Sequence, residues 1–169
     1  MDFSKIYDEY FDRIYAYICC RAGYGTTAED IAALVFQKAL AKFAQYDPAR
    51  GNISQWLFGI ARNETNCHLR FSALRRFLPL DILQESLAAK DATAFETLSA
   101  RQDTAVLTSA LEMLTARERD LITLKFYSEM TNREIADVSG LSESNIGTIL
   151  YRAMGKLRQA FVEGANGIR

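Results

Sequence analysis

The sequence predicts an all-α protein: two small helical domains joined by a linker, the second containing a helix-turn-helix. Three observations support this. Apolar residues recur at helical spacing along most of the chain, while period-two alternation with turn dipeptides is nearly absent. Threonine stands three residues before glutamate at Thr26, Thr93, Thr115 and Thr131, the spacing of a capping box. Between Leu74 and Ala92 the periodicity decays around Pro79, one of only 2 prolines.

In the opening stretch Phe3, Ile6, Tyr7, Tyr10, Phe11, Ile14, Tyr15 and Ile18 step by three and one. Asp2, Lys5, Asp8, Glu9, Asp12 and Arg13 take the other face, so the aromatic stripe reads as packed core. Gly23 and Gly25 end this helix. Thr26 with Glu29 is expected to cap a second one, carrying Ile31, Leu34, Val35, Phe36, Ala39, Leu40 and Phe43. Pro48 and Gly51 make Tyr46 to Gly51 a loop. Asn52 and Gln55 can cap a third helix with Ile53, Trp56, Leu57, Ile60 and Ala61 on its apolar face. Arg62, Asn63, Asn66 and Arg70 form its polar face. These elements make up a first domain, 1–73. Pro79 disfavours helix at the residue before it, and the linker is assigned to 74–92.

The second domain, 93–169, opens with Thr93 and Glu96 and a helix through Phe95, Leu98, Val106, Ala110, Leu111 and Leu114. Thr115 with Glu118 starts the next helix, where Leu121, Ile122, Leu124 and Phe126 supply apolar surface. Thr131 with Glu134 starts a short one bearing Ile135, Ala136 and Val138. Gly140 can take the positive φ that stops it. Ser142 can then cap a long helix with Ile146, Ile149, Leu150, Ala153, Leu157 and Phe161 at helical spacing. Two helices joined by a tight glycine turn read as a helix-turn-helix, whose second helix enters the major groove by its first residues. Those residues are Ser142, Glu143, Ser144, Asn145, Gly147 and Thr148. Asparagine can pair bidentately with adenine, and serine and threonine reach bases or phosphates. Arg152 and Lys156 can neutralise phosphates further along. The plainer alternative is a helical hairpin that touches no DNA.

The formal net charge is −1, which excludes adhesion to DNA by charge alone. Charge is nonetheless uneven. Arg62, Arg70, Arg75 and Arg76 gather at one place and Arg152, Lys156 and Arg158 at another, with Asp81, Glu85, Asp91 and Glu96 between. The 3 cysteines, Cys19, Cys20 and Cys67, form no CxxC and read as buried thiols. His68 reads as a helix-surface residue. No paired carboxylates, nucleophile–base motif, phosphate loop or metal spacing stands out, so neither an enzyme nor a cofactor is expected. The start Met-Asp-Phe-Ser carries no signal pattern and no apolar run reaches membrane-spanning length, so a cytoplasmic location without membrane insertion is expected.

Two blocks in this order resemble the extracytoplasmic-function sigma factors, members of the sigma-70 family of bacterial RNA polymerase sigma factors. FSKIYDEYFDRIYAYICCRAG is similar to the family's opening helix, and AEDIAALVFQKALAKF to the helix that binds the clamp of core RNA polymerase. ISQWLFGIARNETNCHLR resembles the promoter-melting helix with its WL-x-x-IARN signature. ALEMLTARERDLITLKFYSEMTNREIADVSGLSESNIGTILYRAMGKLR resembles the domain that reads the −35 element. The resemblance implies sigma region 2 in the first domain and region 4 in the second. It implies polymerase docking around Asp30, Phe36 and Gln37. The loop from Tyr46 to Ser54 would cradle a flipped base of the −10 element, with Trp56, Arg62, Asn63, Asn66 and Arg70 meeting bases and backbone. The −35 element would be met by Ser142, Ser144, Asn145, Thr148, Arg152 and Lys156. It also implies an anti-sigma factor as partner.

Some positions depart from the family's pattern. Ala33-Leu34 replaces a polar pair in the clamp-binding helix. Cys67 stands where an acidic residue is common, and Gly147 and Ile149 where lysine or arginine is common. These departures keep a second reading open: a sigma mimic that occupies an anti-sigma factor without initiating transcription. Family mimics usually carry an attached receiver domain, and no β/α segment for one is seen here.

Overall fold

A computed structural model of the chain describes residues 2–77 and 109–166, and every described element is helical. These residues fall into two units, one within 1–92 and one within 93–169. The expected cap at Thr93 and the helix through Phe95, Leu98 and Val106 lie outside the described residues, as does most of the linker.

The first unit is a three-helix bundle. Helix α1 spans Phe3–Ala22, its start capped by Asp2, whose carboxylate accepts from the Ser4 amide at 3.1 Å. Gly23 closes it at φ 87°, donating to the Cys19 carbonyl. Helix α2 spans Thr26–Lys42. The capping box expected at Thr26 and Glu29 does not form: Gly25 at φ 109° is the N-cap and no side chain caps the helix. Glycine places the turn's backbone here, and Thr26 already lies inside the helix. Rings of α1 meet rings at the far end of α2, Phe3 with Phe43 at 5.4 Å and Tyr7 with Phe36 at 4.7 Å. The two helices therefore run antiparallel.

Short 3-10 turns at Phe43–Gln45 and Pro48–Arg50 lead into α3, Ile53–Phe77. The Gln55 amide donates to Asn52 Oδ1 at 2.8 Å, the expected cap. Helix α3 runs four residues past 73, where the linker was expected to begin, because nothing helix-breaking occurs before Pro79. The core joins Ile6, Tyr10, Ile14, Tyr17 and Ile18 of α1 to Ile31, Val35, Phe36 and Ala39 of α2 and Leu57, Phe58 and Ala61 of α3. Tyr17 and Phe58, both fully buried, meet edge-on at 5.7 Å. Thr65 is buried as well, its hydroxyl satisfied by the Ala61 carbonyl at 2.8 Å.

The described part of the second unit comprises helical residues 109–112 and then α4 (Ala116–Ser128), α5 (Asn132–Ser139) and α6 (Glu143–Asn166). Of the three capping boxes expected in this domain, the two within the described residues form. Glu118 accepts from the Thr115 amide and Glu134 from the Thr131 amide, each at 2.8 Å, while the threonine hydroxyls accept in return. The core includes Leu121, Ile122, Leu124, Met130, Ile135, Ile146, Ala153 and Leu157, with Ala110, Leu111 and Leu114. Phe126, expected among the apolar surface, is 62% exposed, although Ile122 one turn before it is buried.

Candidate nucleic-acid interface

The turn between α5 and α6 decides what α6 presents. Gly140 adopts the left-handed conformation at φ 74° and donates to the Ala136 carbonyl at 2.8 Å, closing α5. The Leu141 amide then donates to Ser139 Oγ, and the Asn145 amide to Ser142 Oγ, both at 3.3 Å. Ser142 is thus the N-cap of α6, as its residue type requires. Ile146 buries its side chain completely and turns the neighbouring face outward. Ser142, Glu143, Ser144, Asn145, Thr148 and Arg152 are all exposed. The Thr148 hydroxyl donates to the Ser144 carbonyl at 3.1 Å, leaving its lone pairs outward. Free backbone N–H groups and a positive dipole end add an attraction for phosphate at this terminus.

Lys156 is engaged differently from its neighbours. Its ammonium lies 2.8 Å from Glu118 Oε2, with side-chain exposures of 42% and 11%. The same carboxylate completes the Thr115 capping box. The hydrogen bond from Lys156 and those from Thr115 hold the Glu118 carboxyl below the usual carboxylate range, against the opposing effect of burial. One buried carboxylate therefore ties the start of α4 to the middle of α6. Gly147 has room for a methyl group, whose nearest neighbour would be Asn132 Nδ2 at 3.8 Å.

In the first unit the expected polar face of α3 exists. At 100° per residue, Arg62, Asn63, Asn66 and Arg70 share an arc of about 100°, and Trp56, expected on the apolar face, borders that arc and is half-buried. Ser54, Leu57, Phe58, Ala61 and Thr65 are buried on the other side. Asn63 and Arg70 are exposed, while Arg62, Asn66 and Trp56 are half-buried. Trp56 belongs to a cluster with Tyr46 at 5.3 Å and Phe43 at 6.4 Å, and the Tyr46 hydroxyl donates to the Gly51 carbonyl at 3.1 Å. The ring is partly core and partly rim of the loop before α3. Asn66 Oδ1 accepts from Arg21 Nη2 at 2.8 Å, and Arg21 Nη1 donates to the Tyr17 hydroxyl at 2.7 Å. Sequence reading missed the Arg21–Asn66 and Lys156–Glu118 pairings, because partners 45 and 38 residues apart leave no local signal.

On α2, Asp30 and Gln37 are exposed, but Phe36 is 5% exposed and packs on Tyr7 and Phe11. It supports the outer face of α2 from beneath instead of presenting itself there. Ala33 and Leu34 occupy that outer face, and a groove of about 360 Å³ runs beside them between Tyr7, Phe11, Tyr15 and Phe36. Burial pushes the Cys19 thiol up to about 11, so it stays protonated at neutral pH. Of the three thiols expected to be buried only Cys19 is: Cys20 is half-buried, and Cys67 is exposed because it follows Asn66 on the outer side of α3. Among the described residues no group of three or more His, Cys, Asp or Glu is assembled to hold a metal. No described helix is long and apolar enough to cross a membrane.

A helix-turn-helix unit and a helical bundle with a polar, arginine-bearing outer face define a nucleic-acid-binding class. Comparison with known proteins narrows it. Residues 6–75 match Sigma-70 region 2, and residues 104–157 match Sigma-70, region 4. The chain is 30% identical over 167 residues to the ECF RNA polymerase sigma factor BldN of Streptomyces coelicolor, covering 96% of this chain and 61% of that protein. It is 23% identical to the ECF RNA polymerase sigma factor SigM of Bacillus subtilis, covering 98% and 99%. In fold it is similar to the sigma factor RpoE solved in complex with the anti-sigma factor NepR from Bartonella quintana. That likeness has a TM-score of 0.74 and 24% identity, over 95% of this chain and 96% of the other. The chain belongs to the sigma-70 family, in its extracytoplasmic-function group.

Proposed function

We propose that this protein is a non-catalytic initiation factor that gives core RNA polymerase its promoter specificity in the cytoplasm. The observation that carries the reading is the start of α6. A left-handed glycine and a serine cap deliver Ser144, Asn145 and Thr148 outward on a helix anchored by Ile146. In this reading that end enters the major groove of the −35 element, with Asn145 on a base and Arg152 on phosphate. Lys156 adds positive field there only in part, because Glu118 offsets its charge.

The outer face of α3 meets the −10 element. Unstacking a base costs a few kcal/mol, and Trp56 with the preceding loop supplies stacking surface against it. Asp30 and Gln37, with Ala33 and Leu34 between them, form the face offered to core polymerase. The low net charge fits a factor whose DNA affinity depends on that larger partner. An anti-sigma factor as regulator is supported by the fold shared with RpoE of Bartonella quintana, which was solved with one.

A second reading is a mimic that only sequesters an anti-sigma factor. It is favoured by the apolar exposed pair Ala33-Leu34 and by the uncharged Gly147 and Ile149 on α6. The test is co-elution of the purified chain with core polymerase, with and without Leu34→Asp. Co-elution lost in the variant supports the docking face. No association of the wild-type chain would refute the initiation reading.

A further inference from the structure

We propose that Arg21, at the end of α1, is a positioning residue for promoter recognition: it locks the Asn66 amide so that only its NH₂ group faces the nucleic acid. The inference rests on α3 being the −10 face. A guanidinium has donors and no acceptor, so the atom Asn66 turns toward Arg21 must be its carbonyl oxygen. The bond is 2.8 Å. Arg21 is itself held, since Nη1 donates to the Tyr17 hydroxyl at 2.7 Å and the guanidinium lies 5.6 Å from the centre of the Tyr17 ring. Tyr17 is fully buried against Phe58. A chain of contacts therefore runs from the bundle core through Tyr17 and Arg21 to the surface of α3.

The consequence is chemical. A free asparagine can flip its amide and satisfy a donor or an acceptor equally well. Asn66 cannot flip without setting its NH₂ against a cation. Among the described residues its Nδ2 has no hydrogen-bond partner, and Asn66 is half-buried, not enclosed. Asn66 sits between Arg62 and Arg70 on the arc that also carries Asn63. It therefore presents a fixed donor to acceptor-bearing groups, a base carbonyl or ring nitrogen or a phosphate oxygen, and rejects a base offering only N–H there. Specificity of this kind comes from a polar group that the wrong ligand leaves unpaired.

The test uses the full chain with bacterial core RNA polymerase and a randomised single-stranded DNA pool, reading base preference at each position. Asn66→Asp keeps the acceptor for Arg21 and turns the outward donor into an anionic oxygen. We expect unchanged or raised thermal stability and DNA binding weakened about tenfold. Arg21→Lys keeps the charge but cannot span Tyr17 and Asn66 with one forked group. We expect it to flatten the preference at one position and leave the others standing. Rescue of the preference by Arg21→Lys would show that charge alone matters and overturn the inference. So would undiminished binding by Asn66→Asp while Asn63→Ala and Arg70→Ala weaken it, a result that leaves the −10 reading intact. If the wild-type complex shows no base preference, the −10 reading falls and this inference with it.

Discussion

The pair of Glu118 and Lys156 gives the sharpest energetic prediction. Lys156→Met removes a charge-assisted hydrogen bond and leaves a carboxylate that is 11% exposed without its counter-charge. Such a bond is worth about 1.5–3 kcal/mol. Lys156 is 42% exposed, so solvent screening lowers the expected cost to about 1–2 kcal/mol. With a urea slope of about 2 kcal/mol per molar, the unfolding midpoint of the second unit should fall by about 0.5–1 M. Glu118→Gln keeps an acceptor for the Thr115 amide and loses the ion pair, so it should cost a similar amount. The double variant should cost little more than either single one, since both remove the same interaction. The pH dependence has a definite sign. The folded-state carboxyl of Glu118 titrates below its ordinary value of 4.5, so its contribution is present above that pH and is lost as pH falls through the depressed folded value. The wild-type chain should lose stability over that acid window and Glu118→Gln should lose less. Additive costs in the double variant, or identical acid profiles, would refute the reasoning.

Other expectations follow from the same geometry. Asn145→Ala should cost about 1–3 kcal/mol at one base position of the −35 element, measured as loss of discrimination by competition binding. Arg152→Ala should lower the salt slope of DNA binding by about 1, and Lys156→Met by less, because Glu118 already offsets that charge. Gly147→Ala should stabilise the second unit by about 1 kcal/mol in urea denaturation, since the added methyl meets nothing closer than 3.8 Å. Gly140→Ala should destabilise it by about 1–2 kcal/mol through its φ of 74° alone. Phe36→Ala should destabilise the first unit by about 3–5 kcal/mol, whereas Leu34→Ala should leave stability nearly unchanged and weaken polymerase binding.

The helix-turn-helix was legible because its parts are local. Thr131 and Glu134, Gly140, and Ser142 each act on backbone within four residues, so spacing alone specifies them. The polar arc of α3 was legible for the same reason, through the helical period. Thr26 with Glu29 had the same spacing as the working capping boxes and failed, because Gly25 had already set where the helix starts. Of the apolar residues read from the helical period, Phe36 is buried while Leu40 and Phe126 are exposed: apolar residues look alike in sequence, and which one a neighbouring helix covers depends on packing. Lys156 and Asn66 were singled out as surface contacts, yet each is held by a distant residue. Such pairings arise only when helices come together, and they decide how a surface residue is presented.

The most direct test is transcription in vitro from genomic DNA fragments with core polymerase and this chain, followed by mapping of start sites. The account predicts discrete starts preceded by two shared sequence elements at fixed spacing, one blurred by Asn63→Ala and the other by Asn145→Ala. Firm binding to core polymerase with no specific start from any fragment would contradict it.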